Sequence, residues 1–382
     1  MKWVTVWGNA TSIAEHKVET YAKDVTLRYP LKCALGGSKV RLHFSNFCGT
    51  EDVRLDCVTI AQAAGEREIS LQGAKAVTFG GCEGVTIPAG EEIFSDEIEC
   101  AVKPKSTLTV SVYLGGFTLM RSAVVITGPL SKGFFSVGNH TLSPVLPLDY
   151  TRTINTFYFL TGVDVYTEDS GRCVVCYGDS ITAQSYPDYL ALNCMDDAYN
   201  TTAVIRRAAS GTRVLREYKC ITYESYGLNG RHRFEREIAS VSGAESVIIQ
   251  QGINDIIHPV GIDVNPFRPM SDLPSLDELE QGIREYMDIA ERYNLKVYLG
   301  TLLPINGWRT YAPFREEMRK EFNDWIRSLE GQAGVIDFDK AVRSGEDVTY
   351  FASGNDSGDH LHPSEKAYKL MADEAFNRLK RR

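Results

Sequence analysis

Residues 173–182 read CVVCYGDSIT: five apolar positions, Cys173 to Tyr177, followed at once by Gly178, Asp179, Ser180, Ile181 and Thr182. An uninterrupted apolar run of this length fits a strand buried on both faces, as in a parallel sheet covered by helices. Four more such strands are predicted downstream, at 204–209, 246–250, 296–301 and 335–338. Amphipathic helices separate the last three. One starts at Ser275, where Ser-x-x-Glu278 forms a capping box, and its apolar stripe is Leu279, Ile283, Met287, Ala290 and Tyr293. The next carries Phe314, Met318, Phe322, Trp325 and Leu329 at helical spacing. Pro363 sits at the first turn of a last helix that ends in Lys380, Arg381 and Arg382, charges suited to a helix C-terminus. Repeated β–α units predict an α/β domain with a parallel sheet between two layers of helices.

Upstream the grammar differs. Alternating segments recur at 24–29, 39–44, 53–60 and 107–114, punctuated by Gly36-Gly37, Gly80-Gly81 and Gly115-Gly116. In KVRLHF, Val40, Leu42 and Phe44 share one face while Arg41 and His43 share the other. No helix is predicted before residue 165. This pattern suggests an all-β, jelly-roll-like sandwich. The expected organisation is therefore a β accessory domain over 1–168 and an α/β domain over 169–382. Two domains also suit a chain of 382 residues.

Composition narrows the partners. With 43% hydrophobic and 24% charged residues the chain is not largely disordered. Fifty acidic against 41 basic residues give a formal charge of −9, which disfavours nucleic acid and anionic membrane as main partners. No apolar run approaches the ~20 residues of a membrane span. The N-terminus, MKWVTVWGNATSIAEHK, meets Glu15 and His16 before any signal-length apolar stretch. A cytoplasmic protein is expected, although a secreted chain with its signal removed would read the same. The nine cysteines are odd in number and irregularly spaced. Cys173 and Cys176 point to opposite faces of their strand, so they read as small buried residues rather than a metal or disulfide pair.

In doubly wound sheets, sites form at the carboxyl ends of the strands. After the first predicted strand comes Gly178-Asp179-Ser180; after the second, Ala209-Ser210-Gly211; after the third, Gly252-Ile253-Asn254-Asp255; beyond the fifth, Asp359-His360-Leu361-His362-Pro363. These are the parts of an acyl-transfer site. A serine hydroxyl needs a base to take its proton. A histidine, with an ordinary pKa of about 6.5, can do so, and a carboxylate on its other ring nitrogen fixes the tautomer. The tetrahedral intermediate needs donors, which the backbone N–H groups of Ser180 and Gly211 and the Asn254 amide would supply.

The four blocks GDSIT, ASGTR, GIND and DHLHP, in this order at strand ends over 172–382, resemble the GDSL/SGNH hydrolases. The resemblance implies a three-layer, flavodoxin-like domain with a five-stranded parallel sheet. It implies Ser180 as nucleophile, His362 and Asp359 as the rest of the triad, and Ser180, Gly211 and Asn254 as the oxyanion hole. No cofactor is implied. Ile181 stands where the family name has leucine, and the second block lacks the asparagine that many relatives carry before its glycine. The stretches VRLHFSNFCGTE, FNDWIRS and VIDFDKA are similar to longer bacterial members that place a β-domain first and are compared with rhamnogalacturonan acetylesterases. A serine esterase removing O-acetyl groups from carbohydrate is therefore expected. A lipase, lysophospholipase or thioesterase would use the same residues, and a carbohydrate-binding protein with a vestigial site is the alternative outside enzymes.

Neighbouring residues have plainer readings. Asp255 would cap or orient its loop, and Asp179, His258, Trp308 and Tyr311 are candidates for substrate contact, with loop or packing roles as the alternative for the last three. His360 and His362 form H-x-H, but no third ligand stands at metal spacing, so no metal is expected. Trp3 and Trp7 are expected in the core of the β half. The substrate partner is a small-molecule or oligosaccharide ester.

Overall fold

The computed structural model describes residues 1–14, 20–197 and 201–380. Glu15, His16, Arg381 and Arg382 lie outside them. The chain divides into two compact units: Met1–Cys173 with Asp197–Arg206 and Val241–Gly243, and Val174–Asp196 with Arg207–Ser240 and Ala244–Arg382.

The first unit is strand-rich. One antiparallel sheet pairs Lys2–Gly8 with Leu160–Thr167 and Leu160–Thr167 with Gly37–Ser45, which also pairs with Glu92–Phe94 and Ile98–Val102. A second runs Thr151–Ile154, Gly133–Val137, Val25–Lys32, Thr107–Leu114, Cys57–Gln62, Lys75–Ala76. Val40, Leu42 and Phe44 are fully buried, as their alternation predicts. The opposite face is not solvated. There Arg41 Nε and His43 Nε2 lie 2.9 Å from the buried Asp164 carboxylate, which also accepts from Thr5 Oγ1 at 2.7 Å and Ser242 Oγ at 2.8 Å. Burial pushes this carboxyl up, but His43 and the hydroxyls outweigh it and hold it down at about 2.

Two expectations change here. The run 53–60 is two strands, not one. Val53–Leu55 pairs with Val85–Ile87, Cys57–Gln62 pairs with Thr107–Leu114, and Asp56 between them turns its carboxylate to the Gly115 N–H at 2.6 Å. Unbroken alternation hides the change of partner. Trp3 and Trp7 are half-buried rather than core, packing on Tyr166 and Phe157 at 5.3 and 5.4 Å.

Downstream, five strands form one sheet: β1 (Arg172–Gly178), β2 (Thr202–Ala208), β3 (Ala244–Gln250), β4 (Lys296–Gly300) and β5 (Gly334–Ile336). Their order is β2-β1-β3-β4-β5, with β3–β4 and β4–β5 parallel. This is the flavodoxin-like order, whose switch point lies between β1 and β3. Eight helices follow in the described residues: α1 (Ser180–Ala183), α2 (Tyr186–Asp196), α3 (Gly230–Ala239), α4 (Ile253–Ile257), α5 (Leu276–Arg292), α6 (Pro313–Ser328), α7 (Phe338–Val342) and α8 (Glu365–Lys380).

Helix α5 has its capping box in place, with Ser275 Oγ accepting the Glu278 N–H and Glu278 accepting the Ser275 N–H. Its buried face runs through Leu279, Gly282, Ile283, Tyr286 and Ala290, leaving Met287 half-buried and Tyr293 exposed. Helix α3 packs beneath it, and Gly230 is required there: a Cβ would lie 1.5 Å from the Tyr286 hydroxyl.

Helix α6 departs furthest from its apolar stripe. Phe314 is exposed, while Arg315, Glu316, Arg319 and Asn323 are buried. The reason is the backbone leaving β4. Leu302 N–H donates to Asn323 Oδ1 at 2.7 Å, and Leu302 O accepts from Asn323 Nδ2 and Arg319 Nη1, both at 2.8 Å. Buried peptide groups outside a ladder need partners, and α6 supplies them with polar side chains. Strand β5 stops at Ile336. Asp337 accepts the Lys340 N–H at 3.1 Å and caps α7, so Phe338 is helical and fully buried. Pro363 precedes α8 rather than opening it, and Ser364 Oγ accepts the Ala367 N–H at 3.3 Å.

Candidate active site

The carboxyl ends of β1, β2 and β3 meet around the switch point, so short motifs far apart in sequence become neighbours. Strand β1 ends at Gly178, and Asp179 caps α1 by accepting the Ile181 N–H at 3.0 Å. This sharp strand-to-helix turn leaves Ser180 at the first helical position with its side chain half-buried. His362 Nε2 stands 2.9 Å from Ser180 Oγ, and His362 Nδ1 stands 2.6 Å from Asp359 Oδ2. Asp359 Oδ1 accepts the backbone N–H groups of Leu361 and His362 at 3.0 and 2.8 Å. Burial raises the Asp359 pKa, but these bonds, led by His362, outweigh it and hold the carboxyl below its ordinary value.

His360 belongs to a separate pair. Its Nδ1 is 2.5 Å from Asp356 Oδ2, and its backbone takes a positive φ of 65° that turns it away from its neighbour's partner. The two histidines of H-x-H thus serve two different carboxylates. Among the described residues no group of three or more His, Cys, Asp or Glu could hold a metal ion.

Three donors stand just beyond the ends of β1, β2 and β3. Among the described residues the N–H groups of Ser180 and Gly211 have no hydrogen-bond partner. Asn254 Nδ2 donates one hydrogen to Thr212 O at 3.0 Å, which leaves its second free. The loop carrying Gly211 is tied to β3 and α4: Gln251 Nε2 donates to Thr212 Oγ1 at 2.9 Å, and the Asp255 carboxylate accepts from Val214 N at 2.7 Å and Leu215 N at 3.1 Å. Asp255 is fully enclosed, and burial pushes it up to about 6 despite those two N–H groups. Gly211 has φ +78°, and a Cβ there would lie 2.3 Å from the Tyr226 ring. Only glycine meets both conditions.

The remaining candidates divide. Asp179 is 1% exposed and spent on its cap, so its carboxylate is turned into the fold rather than towards a substrate. Burial, then the nearby Asp255, pushes it up to about 7. His258 ends α4 and is buried, with its ring stacked on Tyr226 at 5.3 Å. Burial first, then Arg268, Arg213 and Arg309, hold it well below its ordinary pKa, so it is neutral. Trp308 meets the His362 ring edge-on at 6.4 Å. Tyr311 is half-buried, and its backbone N–H bonds to Trp308 O at 2.8 Å. Tyr226 had no signal in the sequence: it ends a single 3₁₀ turn, Glu224–Tyr226, and only the fold brings it over Gly211.

Residues 176–370, just over half of the chain, match the model of the GDSL-like Lipase/Acylhydrolase family. No curated protein matches. Among solved structures, a GDSL-like lipase from Bacteroides thetaiotaomicron is 18% identical and aligns over 55% of this chain and 88% of its own, with a TM-score of 0.40. An acetyl-xylooligosaccharide esterase from Geobacillus is 18% identical over 55% of this chain and 94% of its own, with a TM-score of 0.42. A member of the lipolytic G-D-S-L family from Veillonella parvula is 17% identical over 56% of this chain and all of its own, 100%, with a TM-score of 0.37. The chain belongs to the GDSL-like lipase/acylhydrolase family, and its carboxyl-terminal unit is an ester hydrolase of the SGNH fold.

Proposed function

We propose that the protein is a serine esterase that removes O-acetyl groups from carbohydrate. The observation that carries it is the hydrogen-bonded chain from Asp359 through His362 to Ser180 beside two unoccupied backbone N–H donors and a free amide hydrogen. Ser180 Oγ attacks the ester carbonyl while His362 Nε2 takes its proton. The carbonyl oxygen gains the negative charge, which the Ser180 N–H, Gly211 N–H and Asn254 amide stabilise. The acyl C–O bond breaks, and His362 protonates the leaving alkoxide. Water, deprotonated by His362, then attacks the acetyl-serine and releases acetate and Ser180.

The sugar preference rests on the surfaces around the serine. Tyr226 and Trp308, both half-buried, offer ring faces and edges, which suit a pyranose better than a long acyl chain. The reading includes kinship with the rhamnogalacturonan acetylesterase-like members. It also takes residues 1–168 as a jelly-roll-like accessory domain and 169–382 as the catalytic domain. Acetate release from a panel of acetylated oligosaccharides tests it, with acetyl, butyryl and octanoyl p-nitrophenyl esters alongside. Release from the oligosaccharides and a preference for acetyl support the reading. A marked preference for octanoyl overturns it in favour of a lipase or thioesterase.

A further inference from the structure

Among the described residues, the buried arginines other than Arg268 each donate at least one hydrogen bond, although several keep a buried nitrogen without a partner. Arg28 donates to Ser111 Oγ and to the carbonyls of Arg67, His140 and Ser143. Arg319 is held by Glu316 and Asp339. Arg268 is the exception beside the catalytic serine's loops. It is 7% exposed, its Nε is buried without a partner, and among the described residues its side chain donates no hydrogen bond and meets no carboxylate. A largely buried guanidinium that meets neither an anion nor a hydrogen-bond acceptor is costly, and an anion from outside the fold would offset that cost.

Among the described residues no acceptor in the fold neutralises that charge. The main chain of Arg268 closes its loop, its carbonyl accepting the N–H groups of Val260 and Gly261 at 2.9 Å, which any residue could do. Its guanidinium lies over Tyr223 at 4.4 Å and 5.9 Å from the Tyr218 and Tyr226 rings, faces that attract the cation without neutralising it. The surroundings add positive charge. Arg213, over Tyr218 at 4.3 Å, has one Asp272 contact at 2.9 Å and a buried Nη2 with no partner. Arg309 is exposed over Trp308 at 4.6 Å and meets no carboxylate among the described residues. In a chain of net charge −9, this corner gathers Arg213, Arg268 and Arg309, and among the described residues Asp272 is the one carboxylate in contact with any of them.

Its position relative to the chemistry is set by Tyr226. That ring covers Gly211 on one side, stacks on His258, and has the Arg268 guanidinium 5.9 Å from its centre. The buried His258 Nδ1 has no partner either. Arg268 thus sits one aromatic ring away from the glycine that would stabilise the oxyanion.

We propose that Arg268, flanked by Arg213 and Arg309, binds an anionic group, a carboxylate or a phosphate, on the alcohol half of the ester. The assignment to the alcohol half rests on the acetylesterase reading, because an acetyl group has nowhere to carry a second charge. The basic corner selects among sugar esters: a charged sugar is held by a charge-assisted bond that a neutral one cannot make.

The test compares kcat/KM for acetate release from three esters of matched position: an O-acetylated uronic acid, an O-acetylated sugar phosphate and the corresponding neutral O-acetyl sugar. The wild type should prefer at least one charged ester over the neutral one by about tenfold or more, chiefly through KM, and the preference should shrink with added salt. In Arg268→Gln that ratio should fall towards one. Measuring the ratio within one preparation cancels any change in basal rate. Which ester wins identifies carboxylate or phosphate. Free uronate or inorganic phosphate should also inhibit p-nitrophenyl acetate hydrolysis competitively in the wild type, which decides the matter if the variant does not fold. A ratio near one for both charged esters, a ratio unchanged in Arg268→Gln, or no competition by either anion overturns the proposal. Ser180-dependent release from the neutral ester alone would leave the esterase reading standing while this one falls. No Ser180-dependent release from any ester removes both.

Discussion

Asp359 grips His362 through both carboxylate oxygens: Oδ2 faces ring Nδ1 at 2.6 Å, and Oδ1 accepts the histidine's own backbone N–H at 2.8 Å. One side chain thereby fixes the imidazole's tautomer and the turn that carries it. Asp359→Asn keeps the size of the side chain but removes the charge. It should lower kcat/KM for p-nitrophenyl acetate by about 10²–10⁴-fold. Asp359 is held below the ordinary carboxylate range, so it is ionised at neutral pH and the variant removes a full negative charge beside the imidazole. Steady-state kinetics of the variant check this, and a kcat/KM within about twofold of the wild type would contradict it.

The loop proposed to hold the oxyanion should resist change at Gly211 for two separable reasons. Gly211→Ala meets the Tyr226 ring and a φ of +78° together. Adding Tyr226→Ala removes the contact and leaves the backbone strain. The single variant should lose most activity, and the double variant should recover part of its thermal stability but not the wild-type stability. Full recovery would show that the steric contact alone requires glycine.

Asn254→Ala removes an amide hydrogen that has no partner in the resting site, as well as the bond to Thr212 O. A drop in kcat of about 10²–10³-fold with little change in KM is expected. A change confined to KM would place the amide in ground-state binding instead.

Asp179 carries a stability signature. Burial raises its folded-state pKa to about 7, above the unfolded value, so protonation favours the folded state. Its contribution is fully present below the unfolded pKa and is lost as pH rises through about 7. Asp179→Asn retains an acceptor for the Ile181 N–H without the charge. It should raise the Tm at pH 8 by a few degrees, with the gain shrinking towards pH 5. Thermal melts across that range test this, and a gain that grows on acidification would reverse the sign.

Strand-end logic made much of this legible. All five central strands lie within a few residues of their predicted spans, because double burial leaves mostly apolar runs, interrupted in β2 by the buried Arg206 and Arg207. The residues named at those ends, Ser180, Gly211, Asn254, Asp359 and His362, fall around one switch point because topology, rather than sequence distance, sets their proximity. What periodicity missed has physical causes. Helix α6 turns arginines inward to satisfy the peptide of Leu302, a demand that arises only after the sheet forms. Tyr226 and Arg268 sit on loops whose paths no local pattern encodes. Asp179 stands beside the nucleophile in sequence, yet its carboxylate points into the fold.

The central claim is that Ser180 is the nucleophile. Hydrolysis of p-nitrophenyl acetate by purified Ser180→Ala, set beside the wild type, tests it most directly. Loss of at least about 10³-fold in kcat with the fold intact is expected; a variant within about twofold of the wild-type rate would contradict the account.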